Sequence, residues 1–121
     1  MAATAQALNT FFNSFSVPAY MNNSVPDDAP IRHITYPVYD PEWSQKHTLY
    51  CEVWDRTTNN EWILSKADEI CRRIGEGILL ACDGGCLRIN LENPIVQIRV
   101  SGDLRSAYIN MSLNAFHLPG A

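Results

Sequence analysis

Apolar residues recur along the chain with two different spacings, one helical and one extended. Near the N-terminus, polar asparagine, threonine and serine residues separate four apolar residues at helical spacing: Leu8, Phe11, Phe12 and Phe15. This stripe predicts a helix over about residues 3–15, ended by Val17 before Pro18. Thr58 and Glu61 have the spacing of a capping box, and Gly75 provides a stop signal. Between them lies a second helical stripe, formed by Ile63, Ala67, Ile70 and Ile74.

Elsewhere the apolar residues alternate with polar ones, and this spacing predicts strands. One strand covers residues 32–39 and another covers 45–56, with DPEWS as the hairpin connection. Pro37 lacks an amide hydrogen, which predicts that the first of these strands lies at a sheet edge or is unpaired on that side. The segments ILLAC, DGG and CLRINLE predict a second hairpin, which IVQIRV extends, and a long strand spans residues 107–115. The proline-rich PAYMNNSVPDDAP predicts a long loop.

This order of elements predicts one α+β domain over residues 1–121. We expect a mostly antiparallel four- to five-stranded sheet with both helices packed on one face. Such a sheet has open edges, and an uncovered edge is a site of aggregation. We therefore expect the edges to pair between subunits.

Composition sets limits on function. The 121 residues are 46% hydrophobic and 18% charged, with a net charge of -4 and no basic cluster, which argues against tight binding of nucleic acid. The N-terminus does not resemble a signal peptide, and no segment has the apolar length of a membrane span. We expect folding in the cytoplasm, with reduced cysteines.

The segment VPDDAP places Asp27 and Asp28 between two prolines, which raises the question of a catalytic pair or a metal site. Adjacent side chains in an extended loop usually point apart, so general acid-base catalysis is disfavoured. Pro26 and the aspartates instead have the chemistry of a turn, with the carboxylates accepting hydrogen bonds from loop amides. The interpretation that we favour is a structural or interface role.

Other candidate chemistry is weaker. Zinc binding is disfavoured because the spacing of Cys82 and Cys86 is longer than that of a C-x-x-C knuckle, and Cys71 occupies a core position of the second helix. A phosphate-binding loop precedes a helix, whereas the DGG segment connects two strands. The histidines lie far apart and near no nucleophile motif. We therefore predict no catalytic residue, no cofactor and no metal.

Several large apolar and aromatic side chains fall in irregular or outward positions, a composition that is enriched at protein interfaces. A small domain can also cover some of them with its own loops. These residues are Tyr20, Met21, Val25, Trp43, Trp54 and Trp62.

Taken together, the segments AQALNTFFNSFSVPAYMNNSVPDDAPIRHITYPV, VWDRT and SKADEICRRIG resemble small tail proteins of long-tailed bacteriophages that infect Gram-positive bacteria. The resemblance is to minor structural proteins of the tail-terminator type, and it extends from about Leu8 to Ala115. VPDDAP and ITYPV are its most specific segments. Arg32 and His33 depart from the family pattern, in which a more aromatic pair precedes ITY, and the four cysteines depart from it as well.

The resemblance implies a subunit of a homo-oligomeric ring, typically a hexamer, that caps the tail tube and limits its length. It implies contact with the tail-tube protein and with a head-completion or connector protein, while DNA passes through the lumen without specific binding. The location would be the virion tail or neck, after assembly in the host cytoplasm. The resemblance implies no enzyme activity and no association with a membrane. We predict that the subunit or tail-tube contacts include Tyr20, Val25, Pro26, Asp27, Asp28, Trp54 and Arg56.

Two alternatives stay open. A head-tail connector or tail-completion protein of the neck would share size, fold and symmetry. A more remote alternative is a small-molecule-binding or enzymatic α+β domain that uses His33 with Asp27 or Asp28.

Overall fold

The structure, a computed structural model, describes residues 2–37, 46–82 and 84–117. Within these ranges the chain forms two α-helices and six strands. A short 3-10 helix, Asn13–Phe15, follows the first α-helix. The elements are α1 (Ala2–Phe12), β1 (Ala19–Met21), β2 (His33–Tyr36), β3 (Lys46–Arg56), α2 (Glu61–Ile74), β4 (Ile78–Cys82), β5 (Gly85–Ser101) and β6 (Leu104–His117).

All six strands belong to one sheet, in the order β1-β2-β3-β6-β5-β4. β1 is parallel to β2, and every other neighbouring pair is antiparallel. The predicted α+β class is thus confirmed, but the sheet is mixed and larger than the predicted four to five strands. The additional strand is β1, which lies in the predicted loop. Its three residues are too few to show an alternating pattern, and its pairing depends on the distant Ile34–Tyr36 segment.

A single hydrophobic core joins both helices to one face of the sheet. Phe12 of α1 stacks on Tyr36 of β2 with ring centroids 5.0 Å apart. In β3, Leu49, Cys51 and Val53 are buried at every second position, as the alternation predicts. The packing of both helices on one face therefore agrees with the prediction.

The start of α2 differs from the predicted capping box. The helix begins at Glu61, and its N–H donates to Oδ1 of Asn59 at 3.0 Å, so Thr58 does not cap it. The predicted end is correct, because Gly75 has a φ of 57° and donates its N–H to the Cys71 carbonyl at 2.8 Å. A left-handed φ favours glycine at this position.

The prediction that Pro37 places its strand at a sheet edge, or leaves that side of the strand unpaired, is wrong. β2 ends at Tyr36, before the proline, and β1 covers its outer side. The connection DPEWS and the aromatic Trp43 lie outside the described residues, as does Asp83 of the DGG turn. β2 and β3 are nevertheless antiparallel, as a hairpin requires.

β5 continues past Pro94, as predicted, and forms a long hairpin with β6. The register shifts between Leu91 and Val96, so the backbone of the intervening residues is not in register with β6. β4 pairs only with the first part of β5, up to Ile89. Beyond this point, among the described residues, β5 is paired on the β6 side alone. No described helix has the length and apolar character needed to cross a membrane.

Candidate functional site

The outer face of the sheet, opposite the helices, carries a row of aromatic rings near the β1 edge. The register places His33 of β2 directly opposite Trp54 of β3, and their rings stack with centroids 6.3 Å apart. Tyr20 of β1 contacts the same imidazole edge-on at 5.9 Å. The Trp54 indole N–H donates to Oγ1 of the buried Thr35 at 2.9 Å, which fixes the orientation of the indole. The row thus joins three strands that are distant in sequence.

A pocket of about 340 Å³ lies beside this row. Its size is that of a small ligand or of one large side chain. The sheet contributes both apolar and ionisable groups to its lining, and the loop after β1 contributes the rest. The lining residues are Asn22, Val25, His33, Thr35, Glu52, Trp54 and Leu104.

The loop between β1 and β2 is held by its own backbone. The N–H of Asn22 donates to the Tyr36 carbonyl at 3.0 Å, and the N–H of Ala29 donates to the Pro26 carbonyl at 3.1 Å. This second bond closes a turn around Asp27 and Asp28, as the sequence predicts. Both carboxylates are exposed, and no described residue donates a hydrogen bond to either. The expected bonds from loop amides to these side chains are therefore not formed.

The seven predicted interface residues separate into three groups. Tyr20, Val25 and Trp54 come together around the pocket and the aromatic row. Pro26 and the two aspartates lie on the exposed turn that follows Val25. Arg56 lies apart from the pocket lining, at the end of β3, where its Nη1 contacts Oδ1 of Asp103 at 2.8 Å.

The remote alternative requires His33 to contact Asp27 or Asp28, and the structure does not place it there. Its Nδ1 lies 2.8 Å from the Pro30 carbonyl and 3.0 Å from the Ile31 carbonyl. Because a carbonyl oxygen can only accept, Nδ1 carries a hydrogen. This arrangement orients the imidazole by backbone contacts and does not form a histidine-carboxylate pair.

Glu52 is the carboxylate that lines the pocket, and the sequence alone does not single it out as a site residue. It lies opposite Thr35 of β2 and Tyr108 of β6 on the outer face. Burial raises the pKa of its carboxyl above the ordinary value of 4.5, whereas the neighbouring Ser106 hydroxyl and Arg99 guanidinium oppose the rise. Alternation alone indicates that Glu52 faces away from the core. Its neighbours Thr35 and Tyr108 can be identified only from the register of β3 with β2 and β6.

A second, open groove of about 600 Å³ lies between α1 and β4. Small side chains form much of its lining, together with the charged Arg73 and the exposed Leu79. Cys82 also lines it. We find no constellation of acid, base and nucleophile in this groove that corresponds to a reaction.

The four cysteines form two groups, with Cys51 near Cys71 in the core and Cys82 near Cys86 in the β4–β5 hairpin. Cys51 is fully buried in β3, and burial raises the pKa of its thiol. In the β4–β5 hairpin, Cys82 lies opposite Gly85 and Cys86 lies opposite Ala81, and none of the four cysteines forms a disulfide. Among the described residues, no group of three histidine, cysteine, aspartate or glutamate side chains has the arrangement of a metal site.

Comparisons with protein-family models, with curated proteins and with solved structures gave no match for this chain.

Proposed function

We propose that the chain is a ring-forming structural subunit of a bacteriophage tail, of the tail-terminator type. In this role a ring, typically a hexamer, caps the tail tube, limits its length and provides the joining surface for the head-completion or connector protein. The proposal combines the resemblance carried by VPDDAP and ITYPV with the geometry of the sheet. It includes no catalytic step.

The observation that carries the proposal is that the sheet ends in two unlike open edges. At one end, β1 pairs with β2 and with no other strand of the described ranges. At the other, β4 and the part of β5 beyond Ile89 each have an unpaired side among the described residues, and this part of β5 exposes Ile95, Ile98 and Val100. Open, apolar strand edges are sites of strand addition. Because the two edges differ, contact between them is head-to-tail, the type of contact that closes into rings.

The turn at Pro26–Ala29 supports the same role. Its proline and its internal hydrogen bond restrict the loop before any partner binds. A restricted loop loses little conformational entropy on docking. The net charge of -4 is consistent with a lumen that DNA crosses without being held.

The decisive experiment is to measure the mass and symmetry of the particle by native mass spectrometry and negative-stain microscopy, with and without the tail-tube protein. We expect closed rings in at least one condition. A persistent monomer in both conditions would contradict the proposal. Labelling of tails made without heads then separates a terminator from a neck connector, because only a terminator is present on them.

A variant pair tests the edge. Ile98→Lys places a charge on the free part of β5 and is expected to abolish ring formation while leaving the melting temperature nearly unchanged. Leu64→Lys is the matched control, since Leu64 is similarly exposed, at 45% against 38% for Ile98, but lies on α2. Equal assembly of the two variants would rule out the β5 edge as a contact.

The double variant Asp27→Ala with Asp28→Ala tests the turn. If the turn contacts a neighbouring subunit or the tail tube, this variant should give fewer rings and fewer completed tails than the wild type. Assembly at the wild-type level would remove the two aspartates from the interface.

A further inference from the structure

Buried polar atoms without a hydrogen-bond partner are concentrated at one place on the outer face. Three of them are Glu52 Oε2, Ser106 Oγ and Tyr108 OH, although the Ser106 hydroxyl lies close enough to the Glu52 carboxyl to lower its pKa. Glu52 lies directly opposite Tyr108, and Ser106 lies directly opposite Trp54, so the three side chains occupy adjacent positions on β3 and β6. A buried polar atom without a partner is unfavourable, and such groups in folded proteins call for an explanation. We name these three side chains the acceptor cluster.

The acceptor cluster adjoins the pocket beside the aromatic row. Glu52 belongs to both, and the stacked rings of His33 and Trp54 line the same cavity. The pocket lining therefore combines one carboxylate with flat aromatic surfaces.

The charge around the pocket favours a cation. Glu52 lines it, and the loop that contributes Val25 continues into Asp27 and Asp28, which have no ion-pair partner among the described residues. The guanidinium of Arg99, which lies over the Tyr108 ring at 4.4 Å, offsets part of this negative charge. Arg32 does not, because it contacts Asp55 and lies over the Trp62 ring at 4.7 Å.

We propose that this pocket binds a guanidinium group, as presented by an arginine. A guanidinium is flat and stacks on aromatic rings, and it carries five N–H donors that can serve several acceptors at once. An ammonium group is compact and does not stack in this way. The binding does not depend on ring formation, so this inference goes beyond the proposed function.

The probe is N-acetyl-arginine amide, which carries the guanidinium as its only charge. The control ligand is N-acetyl-citrulline amide, which has nearly the same shape and no charge. Two-dimensional ¹H–¹⁵N NMR follows the Trp54 indole N–H, assigned by its loss in Trp54→Phe. We expect saturable shifts of this signal with the arginine compound and none with the citrulline compound. Equal shifts with both ligands, or no shift with either, would overturn the proposal.

Glu52→Gln tests the carboxylate, with Asp68→Asn as the matched control on the outer surface of α2. Asp68 is an exposed carboxylate that pairs with Arg72 at 3.0 Å, away from the pocket. We expect Glu52→Gln to weaken binding by about tenfold or more, because hydrogen bonds to a charged group are the strong ones. The NMR dispersion of each variant establishes that it folds. Unchanged affinity in a folded Glu52→Gln protein would overturn the proposal.

The same titration identifies the source of the arginine. If the guanidinium belongs to a second copy of the chain, the arginine compound should dissociate the assembly in sedimentation experiments. If it binds without changing the assembly, the group comes from another molecule. Either result supports the binding site, and a failure of both binding and dissociation contradicts it without bearing on whether rings form.

Discussion

The two faces of the sheet differ in how completely their side chains are packed or hydrogen-bonded. The helix-covered face is closed by tightly packed apolar residues, among them Phe12, Ile70 and Ile109, each with an exposure of 0%. The outer face instead carries stacked aromatic rings, exposed charges and the acceptor cluster. The covered face therefore accounts for most of the stability. The outer face contains the groups that a partner would complete.

The largest effect on stability should come from the covered face. Phe12→Ala removes a ring that stacks on Tyr36 and contacts Phe11 at 5.1 Å between centroids. We expect a loss of about 3–5 kcal/mol in the free energy of unfolding, because the cavity adds to the lost burial. Tyr50→Ala on the outer face is the control, since its ring stacks on Tyr108 but is 42% exposed. Urea denaturation of both proteins measures the difference, and an equal loss would erase the contrast between the faces.

An intermediate effect on stability is expected at Trp54 of the outer face. Trp54→Phe keeps an aromatic ring but removes the hydrogen bond from the indole N–H to Thr35 Oγ1. We expect a loss of about 1–2 kcal/mol, the size of one partly buried hydrogen bond with some packing. Urea denaturation measures this loss as well. A loss as large as that of Phe12→Ala would mean that Trp54 stabilises the fold as much as a core residue does.

A pH-dependent effect is expected at Glu52. Its pKa is raised in the folded state, so the folded protein binds this proton more tightly than the unfolded chain does. The resulting stabilisation is complete below the ordinary carboxyl pKa of 4.5 and is lost as the pH rises through the folded-state value. Glu52→Gln cannot ionise, so its melting temperature relative to the wild type should increase from about pH 4 to about pH 8. A difference that decreases over this range would reverse the assigned shift.

The smallest effect should come from the exposed ion pair at the end of β3. Arg56 and Asp103 lie 2.8 Å apart, but their side chains are 51% and 56% exposed. We expect Asp103→Asn to lower the free energy of unfolding by less than about 1 kcal/mol, and less still in high salt. Thermal unfolding at low and high ionic strength measures both values. A larger loss would mean that the outer face contributes more than its exposure indicates.

The elements of the covered face follow from the sequence because their periodicity is local. The stripe of α2 and the alternation of β3 each repeat over more than ten residues, which is enough to distinguish a helix from a strand. The sequence does not predict β1, because its three residues are too few to show a periodic pattern. The capping box was also wrong, since Asn59 competes for the same helix start as Thr58.

The site on the outer face could be predicted only in part. Tyr20, Val25 and Trp54 were identified as exposed apolar or aromatic residues, and the structure places them near one another. Glu52 was not identified, because its environment depends on Tyr108, a residue far along the chain. Pairing of this kind is fixed by the register of the whole sheet, and no local pattern specifies it.

The position of β6 between β3 and β5 has a consequence for biosynthesis. β6 is the last of the six strands to leave the ribosome, yet it occupies the middle of the sheet. Until it is available, the strands before α2 and those after it form two unconnected halves with bare inner borders. The nascent chain therefore completes its fold in a late step, and shielding by a chaperone would matter most during that interval.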